Sequence, residues 1–160
     1  MNVVIFGLGD ELFGLDIFEL QEIIRMVEIT RVPKAPSFVE GVVNLRGMVI
    51  PIIDLKKKLG IEGSSPCEER KILIVNIGGQ VAGFIVDYVT EVATVNEEDL
   101  EPPPPALALT DRFIQSLVKM KARIVILLKA AEILGTEEKE QLKNITKEDA
   151  HDETETPENI

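Results

Sequence analysis

Histidine is almost missing from this chain. The only one in 160 residues is His151, deep in an acidic C-terminal stretch. Without an imidazole in the body, neither a Ser-His-Asp triad nor a Cys-His pair can form there, and the lone cysteine, Cys67, has no base to activate it. One cysteine excludes an internal disulfide framework and leaves a zinc cage short of ligands. Tryptophan is absent, and the aromatics stop at six phenylalanines and one tyrosine. Stacking platforms for single-stranded nucleic acid are therefore scarce, and a net charge of −11 repels phosphate. The one basic run, Lys56–Lys58, reads as a solvated face. Long apolar runs are missing too, since Ile124–Leu128 falls far short of the roughly 20 residues that cross a bilayer. No charged stretch followed by a long apolar one suggests a secretory signal. These absences predict a cytoplasmic protein with no cofactor, no metal, no nucleic-acid partner and no direct membrane insertion.

What is present is a dense set of short apolar runs within a composition that is 45% hydrophobic. Val3–Leu8 and Leu12–Ile17 flank Gly9-Asp10-Glu11, the pattern of a hairpin. Glu19–Ile24 reads as one helical turn, and Met26–Val32 as a strand that stops at Pro33. Val42–Leu45 and Met48–Ile53 are two strands around Arg46-Gly47, where glycine permits a tight reversal. Leu55–Leu59 reads as a helical turn closed by Gly60.

The second half repeats this plan. A shift of 69 lays Ile5–Ile23 over Ile74–Val92, with Gly9 on Gly78, Gly14 on Gly83 and Glu22 on Glu91. A shift of 75 lays Val43–Gly60 over Val118–Gly135, with Arg46 on Lys121. The six extra residues fall in the connection containing Glu101–Phe113. The expectation is a duplicated β domain over 1–135, with a first barrel at about 1–66 and a second at 67–135. A copy of roughly 60 residues buries too little surface alone. The copies should pack together or exchange a strand, with a groove between them. From Thr136 onwards nine acidic residues face three lysines, a net of −6. This tail, 136–160, is expected to start as a short helix and then to lack a core pattern.

Several motifs reduce to plainer readings. Gly7–Gly14 is no dinucleotide fingerprint, because Leu12 stands at the last glycine position and a strand follows where a helix must open. Glu97-Glu98-Asp99 lacks the spacing that wraps calcium. Asp16, Asp54 and Asp87 permit a carboxylate hydrolase by count alone, but strand-end capping is the plainer job. Arg46 remains: its planar guanidinium forks to carboxylates and stacks on apolar groups. From the residues alone it is equally an anchor for a partner or one half of an ion pair within its own domain.

Asp16–Gly60 and Gly83–Val92 resemble the CheW-like family of chemotaxis coupling proteins. The resemblance spans about Val3–Leu134 and is carried by Pro33, Pro36, Gly41, Asn44-Leu45-Arg46-Gly47, Pro51 and Asp54-Leu55. It implies a mainly β fold of two tandem five-stranded Src-homology-type barrels about a shared core, with short helical turns. It further implies a non-catalytic adaptor between the regulatory domain of the histidine kinase CheA and the cytoplasmic tip of methyl-accepting chemoreceptors, recruited to membrane-associated arrays. An alternative within the family is a coupling paralogue for non-flagellar motility. By position, the resemblance implies partner contacts at Leu20, Glu22 and Ile23, at Gly41 and Asn44, Leu45, Arg46 and Gly47, and at Val86, Asp87 and Val92. Ser116, Lys129 and Ala122 depart from the family pattern and weaken the carry-over to the second barrel.

Overall fold

The computed structural model describes residues 1–61, 69–104, 112–135 and 137–145. Cys67 and His151 lie outside these residues, as does the acidic stretch from 146 onwards. Strands are β1 (Asn2–Leu8), β2 (Glu11–Asp16), β3 (Leu20–Arg25), β4 (Val39–Leu45), β5 (Met48–Asp54), β6 (Lys71–Ile77), β7 (Gln80–Val86), β8 (Tyr88–Thr94), β9 (Leu100–Glu101), β10 (Ile114–Met120) and β11 (Arg123–Leu128). Helices are α1 (Leu55–Leu59), α2 (Ala130–Ile133) and α3 over residues 137–145. The domain is mainly β, as its short apolar runs and Gly-punctuated turns predict.

The two sheets do not follow the two halves of the chain. One has the order β3-β6-β7-β5-β4 and the other β8-β1-β2-β11-β10-β9. Each half therefore donates its first hairpin to the other half's sheet: β6–β7 completes the first barrel and β1–β2 the second. Parallel pairs seal the exchange, Ile52 beside Gly83 in one sheet and Val125 beside Leu12 in the other. A shift of 69 carries Asn2–Leu8 onto Lys71–Ile77, and a shift of 75 carries Val39–Leu45 onto Ile114–Met120.

This arrangement explains the near-continuous apolar runs of β1 and β6. A strand's side chains alternate between faces, and both faces of these strands are buried. Val3 and Ile5 line the second barrel, while Val4, Phe6 and Leu8 face a core shared by both barrels. In the same way Ile72 and Ile74 line the first barrel, and Leu73, Val75 and Ile77 join the shared core. Phe6 and Phe13 stack there at 6.2 Å between ring centroids.

Two expectations fail around β3. Glu19–Ile24 does not form the expected helical turn: a short 3-10 turn, Ile17–Glu19, ends at its first residue, and Leu20–Arg25 is an edge strand paired with β6. Its inward positions are Leu20, Glu22 and Ile24, a period of two that the intervening Ile23 obscures. Met26–Val32 is not a strand either. Only Thr30 pairs, bridging both ways to Val42 at 2.9 and 2.8 Å and so closing the first barrel's edges. In the second barrel the two-residue β9 does this job against Leu117 and Val118.

Helix α3 lies against the shared core through Leu142 and Ile145. Lys58 holds it at its start, with Nζ 2.6 Å from Glu138 and 4.9 Å above the Phe38 ring. Burial alone pushes the Glu138 carboxyl up. Hydrogen bonds from Lys58 and the Gly135 N–H, with the lysine's charge, outweigh it and hold the group below the usual glutamate range. Among the described residues no helix is long and apolar enough to cross a membrane.

Candidate functional site

Five of the eleven expected contact residues gather at the open end of the first barrel. There β4 turns into β5 through Arg46 and Gly47, with φ of 51° and 86°. Positive φ at both central residues is the type I′ pattern that matches strand twist. Asn44 fixes the turn, its Oδ1 accepting from the Gly47 N–H at 2.9 Å. Asn76 does the same for Gly79 in the β6–β7 hairpin at 2.7 Å. The equivalent turn of the second copy has positive φ at Lys121 but not at Ala122. It therefore departs from the type I′ pattern, which has positive φ at both central residues.

Across the barrel mouth the Arg46 guanidinium pairs with the Glu22 carboxylate on β3. Arg46 is thus bonded within its own domain, one of the two options its chemistry left open. Its side chain is nevertheless 70% exposed. A pair so open to solvent contributes about 0–1 kcal/mol to folding, which is too little to make it a structural pillar. What it does is hold a fork of donors in a fixed direction on a rigid turn. Half-buried Leu45 and exposed Met48 supply apolar surface beside it.

The other expected residues sit elsewhere. Ile23 and Val92, equivalent by the 69-residue shift, are exposed on the edge strands β3 and β8 of opposite sheets. Leu20 packs on the shared core. Gly41 is buried at the far end of β4, where a Cβ would run into the Thr30 carbonyl oxygen. Val86 is buried in the same core, and Asp87 is 2% exposed. The Asp87 carboxylate accepts from the Gly9 N–H at 2.7 Å and from Lys56 Nζ at 3.3 Å. It ties the β1–β2 turn of one barrel to helix α1 of the other. Gly41, Val86 and Asp87 are thus buried parts of the frame rather than exposed surface.

The structure adds residues that the sequence reading left out. Phe18, in the turn after β2, is 92% exposed. The mouth of the second barrel is an open pocket of about 440 Å³ between Ile5, Leu12, Met120 and Val125, rimmed by Glu91, Lys121 and Arg123. It corresponds to the mouth that Arg46 and Glu22 bridge in the first. The three aspartates that could have made a hydrolase have other work. Asp16 caps the Phe18 N–H at 3.0 Å, Asp54 caps Lys57 at 3.3 Å, and Asp87 is the tie just described.

The family model for the CheW-like domain matches residues 2–138. The chain belongs to the CheW-like domain family. Among curated relatives, the chemotaxis protein CheW of Klebsiella aerogenes is 36% identical over 145 residues, covering 90% of this chain and 87% of its own. A shorter match, 34% over 100 residues and 62% of each chain, is to Protein FrzA of Myxococcus xanthus. Among solved structures, the scaffolding protein TtCheW of Thermoanaerobacter tengcongensis matches with a TM-score of 0.79 and 41% identity, over 86% of this chain and 94% of that one. CheW-like domains are non-catalytic scaffolds, and the capped or tied aspartates agree with that role.

Proposed function

We propose that this CheW-like chain is a chemotaxis adaptor that joins the regulatory domain of the histidine kinase CheA to the cytoplasmic tips of methyl-accepting chemoreceptors. The observation that carries the reading is the Arg46–Glu22 pair: exposed, preorganised on a type I′ turn, and flanked by apolar surface. A guanidinium held in place loses little entropy when it forks to a partner's carboxylates or carbonyls, which is what makes arginine an interface anchor. Exposed Ile23 and Val92 offer apolar side chains on the two edge strands, suited to the apolar face of a receptor helix. A standard interface needs only about 800 Å² per partner, and arraying many copies makes modest affinity sufficient. Such a protein works in the cytoplasm, recruited to receptor arrays.

The test is receptor-dependent autophosphorylation of the kinase, measured with and without this protein. No change across a range of added chain would remove the coupling role. The match to Protein FrzA, a relative whose name lies outside chemotaxis, favours one alternative: the same coupling chemistry serving a non-flagellar motility system. A deletion strain that loses surface motility while swimming chemotaxis stays intact would select that reading.

A further inference from the structure

Successive side chains of a strand alternate between faces, and Gln21, Ile23 and Arg25 are the exposed set of edge strand β3. On the neighbouring β6, Leu73 stands directly opposite Ile23, and Lys71 directly opposite Arg25. Opposed residues of an antiparallel pair share a face, with Cβ atoms about 4.5–5.5 Å apart. Two cations are thus held side by side next to an exposed isoleucine. Neither Arg25 nor Lys71 has an ion pair among the described residues. The Glu22 carboxylate, three residues from Arg25, goes to Arg46 instead.

The fold does not require this pair. A shift of 69 carries Arg25 onto Thr94 and Asn2 onto Lys71. In the second barrel Asn2 and Thr94 are opposed in the same way, and the threonine hydroxyl donates to the Asn2 amide oxygen at 3.0 Å. One half of the chain therefore carries a neutral, hydrogen-bonded pair where the other holds two like charges. Like charges directly opposite each other weaken a sheet, so this pair lowers stability unless an anion joins it. The chain as a whole carries −11 and repels an acidic partner, which makes two adjacent cations a local landing place. The spacing suits a helix. Ile23 and Arg25 lie about 6.6–6.8 Å apart along a strand, and helix residues one turn apart lie about 5–6 Å apart.

We propose that Arg25 and Lys71 select a partner helix that carries a carboxylate one turn from an apolar residue. The apolar side chain packs on Ile23 and the carboxylate sits between the two cations. That helix belongs to the receptor of the coupling role proposed above, on which this inference rests. Val92, beside the neutral Asn2–Thr94 pair, lacks the preference, so the acidic turn goes to the first half of the chain.

Calorimetric titration of the full chain tests it, with a soluble cytoplasmic fragment of a methyl-accepting chemoreceptor and, separately, the kinase regulatory domain. Lys71→Glu should weaken fragment binding about tenfold and Arg25→Thr about threefold, with both differences shrinking in about 0.5 M salt. Each substitution relieves the repulsion and should raise the urea midpoint, so the loss cannot come from a damaged fold. Binding to the kinase domain should not change. One lysine in place of a tip glutamate or aspartate of the fragment should recover the affinity of Lys71→Glu. Parental fragment binding by both variants overturns the inference and leaves the coupling role standing. A parent chain that binds neither fragment nor kinase domain ends both. An equal loss on the kinase domain, or a salt-sensitive self-association that Lys71→Glu abolishes, gives the face another occupant and also overturns the inference.

Discussion

Arg46 occupies a backbone conformation that non-glycine residues rarely adopt, with φ at 51°. The turn tolerates it because Gly47 follows and Asn44 ties the loop, so the strain sits where the side chain is displayed. Arg46→Ala should leave the thermal midpoint almost unchanged, since an exposed pair contributes little. Titration of the kinase regulatory domain or a receptor fragment should lose about 1–3 kcal/mol of binding. Intact binding with a large stability loss would make the pair structural instead. Ser116 stands where the 75-residue shift places Gly41. Its side chain is buried, and its Oγ has no hydrogen-bond partner among the described residues. An orphaned hydroxyl costs about 1–3 kcal/mol, so Ser116→Ala should raise the unfolding midpoint in urea. The arginine was legible in the sequence, but its partner was not. Glu22 and Arg46 are 24 positions apart, and they meet only because the sheet curls.

At the scale of elements, barrel closure governs the site. The segment after β3 crosses to β4 through a single bridge, Thr30 to Val42, and Gly41 lets the two backbones touch. Gly41→Ala drives a Cβ into the Thr30 carbonyl at a φ of 152°, a region that side chains avoid. The expected cost is about 1–3 kcal/mol or more in a urea titration, with partner binding weakened through displacement of β4. Helix α3 hangs on Glu138, whose folded acidity is raised by Lys58 and Gly135. A carboxylate with a depressed folded pKa stabilises above its unfolded value, here 4.5, and loses that contribution as pH falls through the folded value. The stability difference between the parent and Glu138→Gln should thus be present at about pH 7 and shrink towards about pH 3. Strands with continuous apolar runs were legible, and so was α1 with its Gly60 stop. The edge strand β3 was not, because its outward Ile23 and inward Glu22 invert the usual polarity of a half-buried strand.

On the scale of the whole molecule, the exchanged hairpins make one unit of two barrels. The repeat was readable as two shifts of 69 and 75, since apolar spacing survives in sequence. Which hairpin completes which barrel was not, because both hairpins carry the same pattern and only three-dimensional neighbours tell them apart. Asp87 joins the two barrels at the crossover, buried between Gly9 and Lys56. Asp87→Ala removes a buried carboxylate from the crossover, taking away its ion pair with Lys56 and the acceptor of the Gly9 N–H in the β1–β2 turn. A loss of about 3 kcal/mol in chemical denaturation is expected. Unfolding should stay a single transition by both circular dichroism and calorimetry, with matching enthalpies, because neither barrel keeps a complete sheet without the other. Two separated transitions would show that the barrels are independent.

The swap also sets an order for biosynthesis. Chains usually fold from the N-terminus as they emerge from the ribosome. Here the first barrel lacks its two central strands until β7, ending at Val86, has been made. The earliest hairpin, β1–β2, meanwhile waits for β10 and β11, which come last of the strands. For most of translation the nascent chain therefore carries an apolar hairpin with no barrel to complete, and the mouth of the second barrel takes shape only after β11, ending at Leu128, has followed the first barrel.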